Sequence, residues 1–139
     1  MNEINLVSET LEVKMKRFAP IVVRLGLAVV FLWFGTQQII NTSAWVNLIP
    51  SWITSISGIS AVGFVHFNGA FEIVFGLCLL MGYFTKATAF LLALHMLHIT
   101  FTVGYNGIGV RDFGLSMATI SIFLYGIDSW CLDKFLVKK

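Results

Sequence analysis

The chain has 139 residues, of which 58% are hydrophobic and only 12% charged, with a formal net charge of +2 and a mean hydropathy of +0.87. Such values lie outside the range of water-soluble domains and place the chain in a bilayer. So small a charge, carried by cations whose positions membrane orientation explains, excludes nucleic acid as a partner class.

A spanning helix takes about 20 mostly apolar residues. Windows near 20–38, 59–82, 85–105 and 112–130 meet that requirement, and they predict an all-α fold, a four-transmembrane-helix bundle forming a single integral membrane domain over 1–139. The leader MNEINLVSETLEVKMKR contains acidic residues, and no small-x-small cleavage site follows the first apolar stretch, so that stretch is expected to be retained rather than cleaved as a signal peptide. Pro20 suits the first turn of the first span, where its missing N–H costs nothing. The connection 41–58 is uncharged and carries Trp45, Pro50 and Trp52, which predicts an interfacial outer loop; a lid over the outer mouth of the bundle is the competing reading. GYFTK makes a tight turn after the second span, and GYNGIGVRD a glycine-rich turn into the fourth. Lys14, Lys16, Arg17, Lys86, Lys134, Lys138 and Lys139 fall on one side of the membrane and Arg111 alone on the other. Both termini are therefore expected to be cytoplasmic, in a multi-pass protein of the cell membrane. Four spans use nearly the whole chain, so any chemistry belongs inside the bundle or to a partner.

Cys78 falls within the second span and Cys131 just past the fourth, with no C-x-x-C spacing. Thiol–disulfide catalysis by this chain alone is not expected, and both cysteines read as packing residues.

The polar residues inside the spans are the informative ones. At about 1.5 Å of rise per residue, Glu72 lies roughly 15 Å from the end of its helix, near the bilayer midplane, and His95 stands at the same depth on the next helix. A short connection makes those two helices neighbours, and His98 is one turn further out on the same face. Similar arithmetic brings Asn68, Gln37 or Gln38, and the Arg111–Asp112 pair to the outer half. Arg24 sits nearer the other end, with a side chain long enough to reach inward. Ionisable groups within a span are costly and mark functional sites by default; Gly69 and Gly76 keep the Glu72 face narrow, for a close helix approach or a ligand. The competing reading is a buried clamp in which Arg24, Glu72 and the Arg111–Asp112 pair satisfy one another. His95 and His98, with a neighbouring carboxylate, supply metal-ligand types, but the four-helix di-iron pattern requires Glu-x-x-His on two helices. Hydrogen-bonded core histidines, and no metal, are expected.

RLGLAVVFLWFGTQQI, NGAFEIVFGLCLLMGYFTKATAFLLAL and RDFGLSMATISIFLYGIDSWCLD, in that order, resemble the helix signatures of the DoxX/DoxD family of small four-helix membrane proteins. The resemblance covers Arg24 to Asp133 and carries over Arg24, Glu72, Arg111 and Asp112. It implies a subunit of a thiosulfate:quinone oxidoreductase or a component of an oxidant-defence complex, without fixing whether the chain is itself an enzyme. Two functions follow as expectations. In the first, a redox-associated subunit binds a quinone-like or other small polar-headed ligand in an outer-half cavity. Glu72 and His95 would do the proton chemistry, and Arg24, Gln38, Asn68, His98, Arg111 and Asp112 would hold the ligand. In the second, a non-enzymatic scaffold or assembly factor uses the same residues only to lock the bundle. A quinone is the cofactor the resemblance allows. The bilayer, protein partners in a membrane redox complex and a homo-oligomer are the partners compatible with the chain.

Overall fold

The computed structural model describes residues 3–136, and side chains from residue 9 onward. Its elements are α1 (Glu3–Ile40), α2 (Ser43–Val46), α3 (Ser51–Ser57), α4 (Ala61–Met81), α5 (Thr85–Val103), α6 (Gly107–Tyr125) and α7 (Asp133–Leu136), with no strand among the described residues. Four of them, α1, α4, α5 and α6, are long and apolar enough to cross a membrane. Outward-facing Val22, Val29, Trp33, Val74, Leu94 and Leu124 are all more than a third exposed. In water that would be an aggregation surface; in a bilayer it is the lipid-facing belt. The fold is thus the all-α four-helix membrane bundle the composition predicts. Below, the end of the bundle near α7 is called the tail end and the end near α2 and α3 the loop end.

Two boundaries depart from the sequence expectation. The first helix does not begin at Pro20 but runs through it from Glu3. Proline's φ suits a helix, and the carbonyl it leaves unpaired falls where residues 9–18 are all exposed, so solvent replaces the lost bond. The fourth span begins earlier than expected, at Gly107, and stops at Gly126. The Asn106 side-chain oxygen accepts from the N–H groups of Ile108 and Gly109 at 2.9 and 3.0 Å, so GYNGIGV caps and opens the helix rather than looping before it. Arg111 and Asp112 consequently lie one turn inside α6.

Packing divides the bundle into two closely packed pairs, α1 with α4 and α5 with α6, and α4 meets its sequence neighbour α5 far less extensively. Gly35 and Gly69 make the first pair possible. A Cβ on Gly69 would stand 2.8 Å from the Gly35 carbonyl oxygen, and one on Gly35 2.7 Å from that of Gly69, so both backbones meet only because neither residue has a side chain. The glycine face beside Glu72 thus serves a helix contact. Leu27, Ala28, Phe31, Leu79, Ala89, Leu92, Met96 and Ile122 form the apolar core.

The tail end is tied by polar contacts. Arg24, only 1% exposed, donates from Nε to Asp128 Oδ2 at 2.6 Å and from Nη1 to the carbonyls of Leu79 and Leu80, both at 2.7 Å. One guanidinium therefore joins α1, the last turn of α4 and the segment after α6. Asp133 accepts the N–H groups of Phe84 and Thr85 at 2.7 Å, satisfying the free donors at the start of α5. Gly82, at φ 66°, would place a Cβ 2.5 Å from the Cα of Cys131, so this turn requires glycine for both its conformation and its contact.

Candidate functional site

Beyond Phe31 and Met96 the core gives way to a cavity of about 210 Å³ enclosed by α1, α4, α5, α6 and the α2–α3 segment. One water needs only about 15 Å³ by the same kind of measure. The walls are mainly apolar, with Phe34, Trp45, Leu48, Ile49, Ile53, Phe64 and Ile99 among them, and Gln38, Asn68, Glu72, His95, His98, Arg111 and Asp112 supply the polar groups.

Glu72 is placed by the Gly35–Gly69 approach, which sets α4 against α1 one turn away and brings Gln38 within reach. Gln38 Nε2 donates to Glu72 Oε2 at 2.8 Å. The other carboxylate oxygen, Oε1, faces His95 Nε2 at 3.5 Å, too long for a good hydrogen bond. His95 Nε2 is enclosed and has no hydrogen-bond partner among the described residues. Its ring lies on that of Phe71, centroids 4.5 Å apart, which fixes the plane in which the free nitrogen points.

Across the cavity, Arg111 donates from Nε to Asp112 Oδ1 at 2.7 Å, and Nη2 stands 2.7 Å from the same oxygen. The guanidinium carbon lies 4.6 Å above the centre of the Phe34 ring, a cation–π contact that holds the plane of the fork. Asp112 is nearly enclosed while the Arg111 side chain is 42% exposed, leaving the outward N–H groups of Arg111 for another acceptor. Asn68 and His98 have no hydrogen-bond partner among the described residues. His66, the third histidine, is instead 2.9 Å from the Thr42 hydroxyl. No group of three or more His, Cys, Asp and Glu side chains is arranged to hold a metal among the described residues.

The structure brings seven of the eight sequence-selected residues to one cavity and leaves Arg24 in the tail-end tie. Neither arginine pairs with Glu72, so the clamp imagined between them does not form; its partners are Gln38 and the more distant His95. Two contributions were not foreseen: Asp128 as the partner of Arg24, and the aromatic rings of Phe34 and Phe71 under the polar groups. Asp128 was within reach of sequence reasoning, because it follows α6 at the end of the bundle where Arg24 sits.

A multi-pass membrane protein that closes four helices over an internal cavity is the class these observations define. A family model described as DoxX matches residues 19–105, and the chain belongs to the DoxX family. The matched segment takes in Arg24, Gln38, Asn68, Glu72, His95 and His98 and ends before Arg111 and Asp112. Comparison with curated proteins and with solved structures gave no match.

Proposed function

We propose that the protein is a membrane subunit whose cavity binds a small molecule with a polar head and an apolar body, of which a quinone-like ring is the best fit, and that it serves a membrane redox assembly. The observation that carries this reading is His95, a residue of the cavity wall whose enclosed ring nitrogen, beside a carboxylate, has no hydrogen-bond partner among the described residues. Buried polar atoms in a purely structural site are paired; one left unpaired, in a fixed ring on a cavity wall, is suited to a ligand's carbonyl or hydroxyl once a small movement of the ring uncovers it. His95 and Glu72 would pass a proton to or from that group, the Arg111 fork would meet developing negative charge, and Asn68 would complete the polar contacts. The apolar walls suit the ring and its substituents. Electrons would be exchanged with a partner subunit.

Titration of a decyl-tailed benzoquinone into the protein in lipid nanodiscs, followed by tryptophan quenching, tests this directly, since Trp45 lines the cavity. His95→Ala should weaken binding about tenfold, equivalent to about 1.4 kcal/mol. Undiminished binding in that variant would refute the assignment of His95. A scaffold role is the second reading, favoured by the Arg24–Asp128 tie and the Gln38–Glu72 bond between α1 and α4. Under it the nanodisc protein binds no such probe, and Arg24→Ala, rather than His95→Ala, releases co-purifying partners.

A further inference from the structure

We infer that the cavity takes its occupant sideways from the bilayer, through an opening between α4 and α5 at Phe67 and His98, so that its substrate class is a membrane-dissolved molecule with an apolar tail. This rests on the ligand-binding reading and specifies where the ligand comes from.

Most residues of the wall are at least half-covered, but Phe67, 65% exposed, and His98 line the cavity while also facing outward. They belong to the two helices whose mutual packing is sparse. One turn nearer the tail end, the rings of Phe71 and His95 stack across the same gap and close it. α4 runs from the loop end to the tail end and α5 runs back, so Phe67 and His98 lie on one level, above the Phe71–His95 seal. That level is about 20 Å along helices that span roughly 30 Å, counted at about 1.5 Å per residue from the tail end. The opening therefore faces hydrocarbon rather than headgroups or water.

The loop end is covered by contrast. Trp45 of α2, Leu48 and Ile49 of the turn that follows it, and Ile53 of α3 contribute to the wall and place apolar side chains between the cavity and the aqueous phase. The polar edge at that end is the half-exposed Arg111, which holds the competing route. A water-borne solute would have to pass this apolar cover. A lipid-dissolved one meets a gap whose edges are an aromatic ring and an imidazole, with the unpartnered His95 nitrogen and Asn68 behind them.

The test uses protein in nanodiscs, in a Cys78→Ala, Cys131→Ala background, carrying either Phe67→Cys or Val74→Cys labelled with a bulky maleimide. Val74 is exposed on the same helix but does not line the cavity. Stopped-flow tryptophan quenching follows two probes, the decyl-tailed benzoquinone and a tail-less dimethoxybenzoquinone added from water. The expected result is that the label at position 67 slows both association and dissociation of the tailed probe at least about tenfold, as a blocked path must, with the equilibrium constant changed far less. The label at position 74 should change neither rate. Unaltered rates with the label at position 67, or equally fast entry of the tail-less probe into blocked and unblocked protein, would overturn the lateral route and favour entry past Arg111. If the unlabelled protein binds neither probe, the ligand-binding reading itself is overturned and this inference with it, an outcome distinct from binding by another route.

Discussion

Replacing Glu72 with Gln and Asp128 with Asn removes one buried negative charge in each case, yet the surroundings predict very different costs. Asp128 binds the guanidinium of Arg24, a side chain 1% exposed, through contacts of 2.6 and 3.4 Å, and also accepts the Trp130 N–H at 2.7 Å. Asp128→Asn leaves that cation enclosed without its counter-charge. Breaking a buried pair from one side costs about 3–5 kcal/mol. Because the Leu79 and Leu80 carbonyls still accept from Arg24 and the asparagine oxygen remains, the lower figure applies. A loss of about 3 kcal/mol corresponds to roughly 10 °C in Tm for a chain of this size. Glu72 has no arginine. Its charge is met by the Gln38 amide, and His95 stands at 3.5 Å. Glu72→Gln can keep the bond from Gln38 on its carbonyl oxygen and turn its own NH₂ toward His95, so its net cost is that of exchanging hydrogen bonds, about 1 kcal/mol or less. Thermal unfolding of the two detergent-purified variants beside wild type measures the contrast, and binding of the tailed benzoquinone should be weakened in Glu72→Gln alone. A fall in Tm for Glu72→Gln as large as that for Asp128→Asn would refute the reasoning, since it would make Glu72 a structural carboxylate.

Acid should act through the same tie. Burial by itself raises the Asp128 carboxyl, but hydrogen bonds from Arg24 and Trp130 and the charge of Arg24 outweigh it and hold the group below its ordinary value of 3.8. A carboxylate that ionises more readily folded than unfolded adds stability above the unfolded value, which is lost as pH falls through the folded one; Tm should be insensitive to this group from pH 7 to about 5 and fall below about 4, less steeply in Asp128→Asn. Gly69→Ala puts a Cβ 2.8 Å from the Gly35 carbonyl oxygen and should cost about 1–3 kcal/mol by thermal unfolding, whereas Gly114→Ala, with nothing within 4 Å of its Cβ, should be neutral or stabilising by up to about 1 kcal/mol. Cysteines introduced at Lys14, Ser57 and Lys134 should be labelled by an impermeant maleimide on intact cells only at position 57, as the clustering of cations near the termini predicts; labelling at position 134 would contradict cytoplasmic termini.

Much of this was legible in the sequence, and what was not has identifiable causes. Hydropathy finds four spans because a bilayer demands long uninterrupted apolar helices, and depth along each helix brings Glu72 level with His95 because rise per residue is fixed. Rotation about the helix axis is not fixed in that way, so depth alone could not say that Arg24 turns toward Asp128 and not toward Glu72. The short α4–α5 turn suggested intimate packing between those helices. The pairing that results is α1 with α4, because the absent side chains of Gly35 and Gly69 permit a closer approach there than α5 can make. Helix ends were misplaced where polar or glycine-rich stretches looked like loops: Asn106 caps from within GYNGIGV, and the exposed position of α1 before the bundle lets Pro20 stand inside a helix. The segment 41–58 was open to two readings, as its tryptophans suit an interface and a lid alike. Trp45 stands in the cavity wall while Trp52 is 57% exposed, a division that no count of aromatic residues contains.

The two buried acids make the same point about function. In the sequence Glu72 and Asp128 are single carboxylates in apolar stretches, and a hydropathy scale penalises them alike. In the fold the oxygens of Asp128 are occupied by Arg24 and a backbone N–H, and Asp128 is not among the residues lining the cavity beside Glu72. Glu72 commits one oxygen to Gln38 and presents the other to an imidazole whose nitrogen has no partner of its own. A carboxylate with every partner in place holds helices together, and any ligand would have to break those bonds to use it. A carboxylate with capacity left over, in a cavity wall, can take a further partner without costing the bundle its packing. Partner count, rather than burial or depth, is what separates the functional candidate from the structural one.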